Sequence, residues 1–141
     1  MSASISPRVA ALSGLLLVLP LLALSGCGGA KFASPVPVSG KVTVKGKPLS
    51  GGTIHFAPVD GKKTLPGFGA IQSDGSYTAT TKVQKDGLIP GEFLVFFDPP
   101  EITEKKARPV MPIPGGYLSP DTSGLKQTID SKGGKVDFDL K

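Results

Sequence analysis

Along most of the chain, apolar and polar positions alternate in steps of two. Val38, Val42 and Val44 share one side of an extended segment, and Ser39, Lys41, Thr43 and Lys45 share the other. That is the period of a strand with one buried face. A turn region follows at residues 46 to 52, rich in glycine and carrying Pro48. From Thr53 to Pro58 the alternation resumes, with Ile54 and Phe56 inward and Thr53, His55 and Ala57 outward. Residues 67 to 73 predict a weaker strand. Asp74-Gly75 suits the positive φ angles of a tight hairpin turn, so residues 77 to 81 are expected to return as its partner.

Phe93-Leu94-Val95-Phe96-Phe97 is apolar at every position, as in a strand covered on both faces, and this places residues 92 to 98 at the centre of the fold. Residues 99 to 120 then hold prolines at 99, 100, 109, 112, 114 and 120. Proline donates nothing to a ladder, so a long loop without regular elements is expected, and loops of that length commonly carry function. Two strands close the chain. Leu125, Gln127 and Ile129 alternate with Lys126, Thr128 and Asp130, and Val136, Phe138 and Leu140 alternate with Lys135, Asp137, Asp139 and Lys141. No stretch shows helical apolar spacing. The pattern predicts an all-β domain over residues 38 to 141, a seven-stranded antiparallel β-sandwich of transthyretin-like or immunoglobulin-like kind.

The first residues break the alternation. One basic residue, Arg8, precedes an uncharged apolar run from Ala10 to Leu24 that contains Pro20. The run is shorter than the roughly 20 residues a spanning helix needs, and reads as the apolar core of an export signal. Leu24-Ser25-Gly26-Cys27 sets one apolar and two small residues before the single cysteine of the chain. Glycines on both sides give that thiol nothing to bury it, and there is no second cysteine for an intramolecular disulfide. The four residues resemble the lipobox of bacterial lipoproteins. The resemblance implies a diacylglyceryl group on Cys27, cleavage before it, and acylation of the new amine by a chain such as palmitate. Each buried methylene contributes about 0.8 kcal/mol, so two or three chains hold a protein almost permanently. Residues 1 to 26 are thus expected to be a lipoprotein signal peptide, and 27 to 37, rich in Gly, Ala, Ser and Pro, a flexible tether. Gly28 lacks the aspartate that retains some lipoproteins at the inner membrane, so the expected place is the cell envelope, with an outer-membrane destination allowed.

Three pieces carry a further resemblance. They are the run from Val38 through Gly46-Lys47-Pro48-Leu49-Ser50-Gly51-Gly52 to Pro58, then Asp74-Gly75-Ser76-Tyr77-Thr78 with Pro90-Gly91-Glu92-Phe93-Leu94-Val95, and Ile113-Pro114 through Tyr117 to Leu125. Together they resemble the transthyretin-like or carboxypeptidase regulatory-like β-sandwich of small bacterial envelope lipoproteins. That resemblance implies an accessory or interaction module. Transthyretin-fold enzymes acting on purine-derived ureides use several histidines, an arginine and a characteristic tail. This chain has His55 alone and ends Phe138-Asp139-Leu140-Lys141.

Charge changes the picture little. Lys and Arg number 16 against 11 Asp and Glu, for a net +5, with the lysines scattered among aspartates as on a solvated surface. The tightest basic group is Lys105, Lys106 and Arg108 in the proline-rich segment; with Tyr117 it forms the expected partner contact. Nucleic acid is excluded by export and by the lack of aromatic residues among the basic ones. His55 falls on the outward face of a strand, no nucleophile has a base at useful spacing, and Asp137 and Asp139 lack a histidine to complete a metal site. Catalytic residues, metal and cofactors are accordingly expected to be none. With no Trp and only Tyr77 and Tyr117, aromatic platforms for sugar are few. The expectation is a noncatalytic, membrane-anchored extracytoplasmic module with a structural or protein-interaction role toward an envelope protein, the alternative being a glycan or cell-wall binding module.

Overall fold

The computed structural model describes residues 32–81, 86–101 and 113–141. Strands β1 (Val38–Val44), β2 (Lys47–Pro48), β5 (Ser76–Thr78), β8 (Gly134–Lys135) and β9 (Phe138–Leu140) make one sheet, in which β1 pairs with all the others. Strands β3 (Thr53–Pro58), β4 (Gly67–Ala70), β6 (Gly91–Asp98) and β7 (Leu125–Ile129) make a second, in the order β4-β3-β6-β7. The protein is all-β, with two sheets facing one another across a single core. Among the described residues no helix is long and apolar enough to cross a membrane.

The period-two residues meet between the sheets. Val38, Val42, Phe138 and Leu140 from the first sheet join Ile54, Phe56, Phe93, Val95, Phe97 and Ile129 from the second. Phe56 ties them together: its ring lies 5.9 Å edge-on from Phe93 in its own sheet, 6.1 Å from Tyr77 and 6.5 Å from Phe138 in the other. Burying a phenylalanine contributes about 1.5–3 kcal/mol, so this cluster supplies much of what holds the sheets face to face.

Several expectations are corrected. The described residues carry nine strand segments, because the turn region contributes β2 and the last expected strand divides into β8 and β9. The sheets are not wholly antiparallel. After β7 the chain crosses from the second sheet to the first and lays β8 and β9 along β1 in the same direction. The Asp74-Gly75 hairpin does not hold its arms in one sheet either, since β4 belongs with β3 and β5 with β1. Its arms touch at Gln72 with Ser76 and at Phe68 with Thr80, the corner between the sheets. Only one face of β6 is fully covered: Phe93, Val95 and Phe97 are buried, while Leu94 and Phe96 are half-buried.

The proline-rich segment does hold regular structure. Gly115–Leu118 forms a 3-10 turn and Pro120–Ser123 one turn of α-helix, α1. Pro120 sits at the start of α1 behind Ser119, where a missing N–H costs nothing. Four-residue turns also need no amphipathic pattern. At the other boundary, backbone pairing begins with Val36, which exchanges hydrogen bonds with Leu88 at 2.8 and 2.9 Å.

Candidate binding groove

The groove is shaped by a break in the ladder between β1 and the C-terminal strands. Val38 stands opposite Gly134 and Val42 opposite Phe138, the same register on both sides of the break. In an uninterrupted parallel ladder Val136 would donate to the Ser39 carbonyl and accept from the Lys41 amide. The first bond is present at 2.8 Å. The Val136 carbonyl instead turns inward and accepts the Tyr77 hydroxyl at 2.7 Å. The Lys41 amide is taken up by Asp137 Oδ1 at 2.8 Å. Gly40 makes this possible, since a Cβ there would stand 1.7 Å from the Val136 oxygen. Burial, reinforced by the negative charge of Asp137, pushes the Tyr77 hydroxyl well above its ordinary value. The Lys41 amide, with help from Lys135, holds the Asp137 carboxyl below its own.

The corner at β4 and β5 completes the groove. Ala70 and Thr78 stand between the joined pairs Phe68 with Thr80 and Gln72 with Ser76, and no backbone hydrogen bond links them. Glycine again lets the strands approach: a Cβ on Gly69 would meet the Thr78 carbonyl at 2.8 Å, and one on Gly67 would meet Leu88 at 2.1 Å. With glycines filling the buried positions of β4, Phe68 faces outward and is 48 % exposed. The result is an open groove of about 610 Å³ between β4 and the face of β1 and β5. Gly40, Gly69 and Tyr77 lie at its base, and Phe68, Lys41 and Lys135 are among its walls.

The groove's charges come in pairs. Lys41 Nζ lies 3.7 Å from Asp74 Oδ2, and Lys135 Nζ lies 3.3 Å from Asp137 Oδ2. Both carboxylates are fixed locally, Asp137 by the Lys41 amide and Asp74 by the amide and hydroxyl of Ser76. Those Ser76 bonds, foremost the hydroxyl, hold the Asp74 carboxyl below its ordinary value. On the same sheet Asp139 Oδ1 accepts from Thr43 Oγ1 at 2.8 Å and from the Gly46 amide at 3.1 Å, which lowers its carboxyl too. Asp137 thus serves the backbone of β1, and Asp139 ties the Thr43 side chain to the turn that follows β1. Among the described residues no group of three or more His, Cys, Asp and Glu could hold a metal ion.

Of the residues singled out from sequence, Leu24, Ser25, Gly26 and Cys27 lie outside the described residues, as do Lys105, Lys106 and Arg108. Tyr117 is half-buried and packs against the core from the 3-10 turn. His55 does lie on the outward face, where it stacks on Phe96 at 4.8 Å and meets Asp98 Oδ2 at 2.8 Å. Phe68 escaped sequence reasoning because apolar residues are expected inward. The signal for it was Gly67-Phe68-Gly69, a strand whose alternate positions lack side chains. No family model, no curated protein and no solved structure matches the chain.

Proposed function

We infer that the chain is a lipid-anchored, noncatalytic binding module displayed in an extracytoplasmic compartment of the bacterial envelope. The observation that carries this reading is the sequence Leu24-Ser25-Gly26-Cys27, placed just ahead of an all-β domain whose backbone pairing starts at Val36. Acylation of Cys27 would hold the domain close to the bilayer on a short glycine- and proline-containing leader. The two-sheet architecture supports the transthyretin-like or carboxypeptidase regulatory-like sandwich named from sequence, as a variant in which the last strands run parallel to β1. A binding role is favoured over catalysis because the partners of His55 among the described residues, Phe96 and Asp98, include no hydroxyl or thiol nucleophile for it to activate. It is favoured over a purely structural one by the open groove under Phe68.

Intact mass measurement of membrane-extracted protein, wild type against Cys27→Ala, tests the anchor. The expected wild-type species begins at Cys27 and is heavier by a diacylglyceryl group and an acyl chain, and the variant leaves the membrane fraction with its fold unchanged. A wild-type chain that retains residues 1 to 26 without modification would overturn the reading.

A further inference from the structure

We propose that the groove between β4 and the face of β1 and β5 binds a neutral oligosaccharide, with Phe68 against the apolar face of a sugar ring. The proposal deepens the binding role given above and rests on it. Three observations converge on this class of ligand. The described residues keep nearly all large apolar side chains inside, with Val59 and Phe68 the exposed large hydrophobics, and Phe68 alone lines this groove. An exposed aromatic ring at the wall of a groove that mixes apolar surface with hydroxyl, amide and ammonium groups suits a ligand that is apolar on one face and hydroxylated at its rim.

The polar lining matches such a rim. Ser39, Thr78 and Gln72 offer hydroxyl and amide groups, and Ala70 and Thr78 leave backbone groups between them unjoined. Lys41 and Lys135 each hold one carboxylate partner, and an ammonium has three donors, so each keeps hydrogens for a ligand oxygen.

Charge favours neutral over acidic sugars. The two ammonium groups of the lining, Lys41 and Lys135, each have a carboxylate beside the groove, Asp74 and Asp137, both anchored to backbone. These neighbours offset the lining's positive charge, which leaves little field to draw in a polyanion.

The test titrates full-length protein in detergent with chitohexaose, cellohexaose, polygalacturonate and a proline-free hexapeptide pool. Amide chemical shifts and calorimetry are followed at low and high salt. The expected result is saturable binding of at least one neutral hexasaccharide, with shifts at Ser39, Lys41, Ala70 and Thr78 and an affinity that salt leaves within about twofold. Phe68→Ala, at an exposed position, should keep the melting temperature and weaken binding about tenfold, while Phe68→Tyr keeps it. Preference for polygalacturonate with steep salt dependence, or sugar binding indifferent to Phe68→Ala, overturns the proposal. Phe68-dependent capture of the peptides alone also overturns it but leaves the binding role standing. If no probe shifts the groove in a protein that is correctly acylated at Cys27, both the sugar assignment and the binding role fall while the anchor survives.

Discussion

The Tyr77 hydroxyl donates to the Val136 carbonyl across 2.7 Å, linking the middle of the chain to a peptide unit that has left its ladder. That bond replaces one the strand would otherwise make with β1, and Asp137 replaces the other half by accepting from Lys41. Three residues, Gly40, Tyr77 and Asp137, thus hold one peptide in its turned position.

Tyr77→Phe should cost about 1–2 kcal/mol at neutral pH, because the carbonyl loses its donor while the ring stays in place. The same variant separates the alkaline response. The folded state raises the Tyr77 value above its ordinary 10.0, so it holds the proton more tightly than the unfolded chain does. That contribution is complete below about pH 10 and is lost as pH rises through the folded value. Urea unfolding followed from neutral pH upward should show wild type losing stability above pH ~10 more steeply than Tyr77→Phe. Parallel profiles would remove Tyr77 as the source.

Gly40→Ala and Gly67→Ala should differ although both glycines are buried. At Gly40 the new methyl meets backbone, the Val136 carbonyl, whereas at Gly67 it meets the far end of Leu88, which can rotate away. Denaturant melts are expected to place Gly40→Ala at about 3 kcal/mol or more of destabilisation and Gly67→Ala nearer 1 kcal/mol. Equal losses would mean the Val136 carbonyl is free to return to the ladder.

Lys45 is the one non-glycine residue among those described with positive φ, at 51°, and Gly46 follows at 77°. With Val44 paired to Lys47, these two residues form the tight two-residue hairpin turn, for which Asn-Gly is preferred. Lys45→Asn should stabilise the domain by about 1 kcal/mol, visible as a rise in melting temperature of about 4–8 °C. An unchanged or lower melting temperature would show that the lysine makes up for its strain elsewhere.

Asp137 and Asp139 govern the acid side. Both carboxyls are lowered below their ordinary 3.8, chiefly by the Lys41 amide and by the Thr43 hydroxyl respectively. Their contribution is present above that value and is lost as pH falls through the lowered folded values. The pair Asp137→Asn and Asp139→Asn should be less stable than wild type at neutral pH and lose less on acidification below pH ~4, as followed by circular dichroism.

How far the fold could be read in advance follows from where each decision is made. The alternation around Val38 to Val44 and Thr53 to Pro58 is local, and the strands bury Val38, Val42, Ile54 and Phe56 as it names, with Val44 half-buried. Asp74-Gly75 marked a real turn with the wrong geometry. Only Gly75 has positive φ, and the Gly75 amide closes on Gln72 at 3.0 Å, giving a three-residue loop, while the two-residue turn fell at Lys45-Gly46. A lysine in that conformation carries no sequence mark. The direction of β8 and β9 was hidden because period two is the same for parallel and antiparallel neighbours. The groove was hidden for a related reason. Gly67 and Gly69 fill buried positions only because Leu88 and Thr78 arrive there from elsewhere in the chain.

The parallel pairing of β9 with β1 also sets the order in which the domain can be made. Lys41 and Asp137 are 96 residues apart in sequence, and β1 is the strand on which every other member of its sheet depends. Closing so long a loop costs entropy before any contact repays it, and chains dominated by distant contacts fold slowly. The first sheet cannot gain its last edge until residues near Leu140 are free to dock. Until residues 134–140 are available β1 therefore stays half-paired, and the first sheet is the part of the domain completed last.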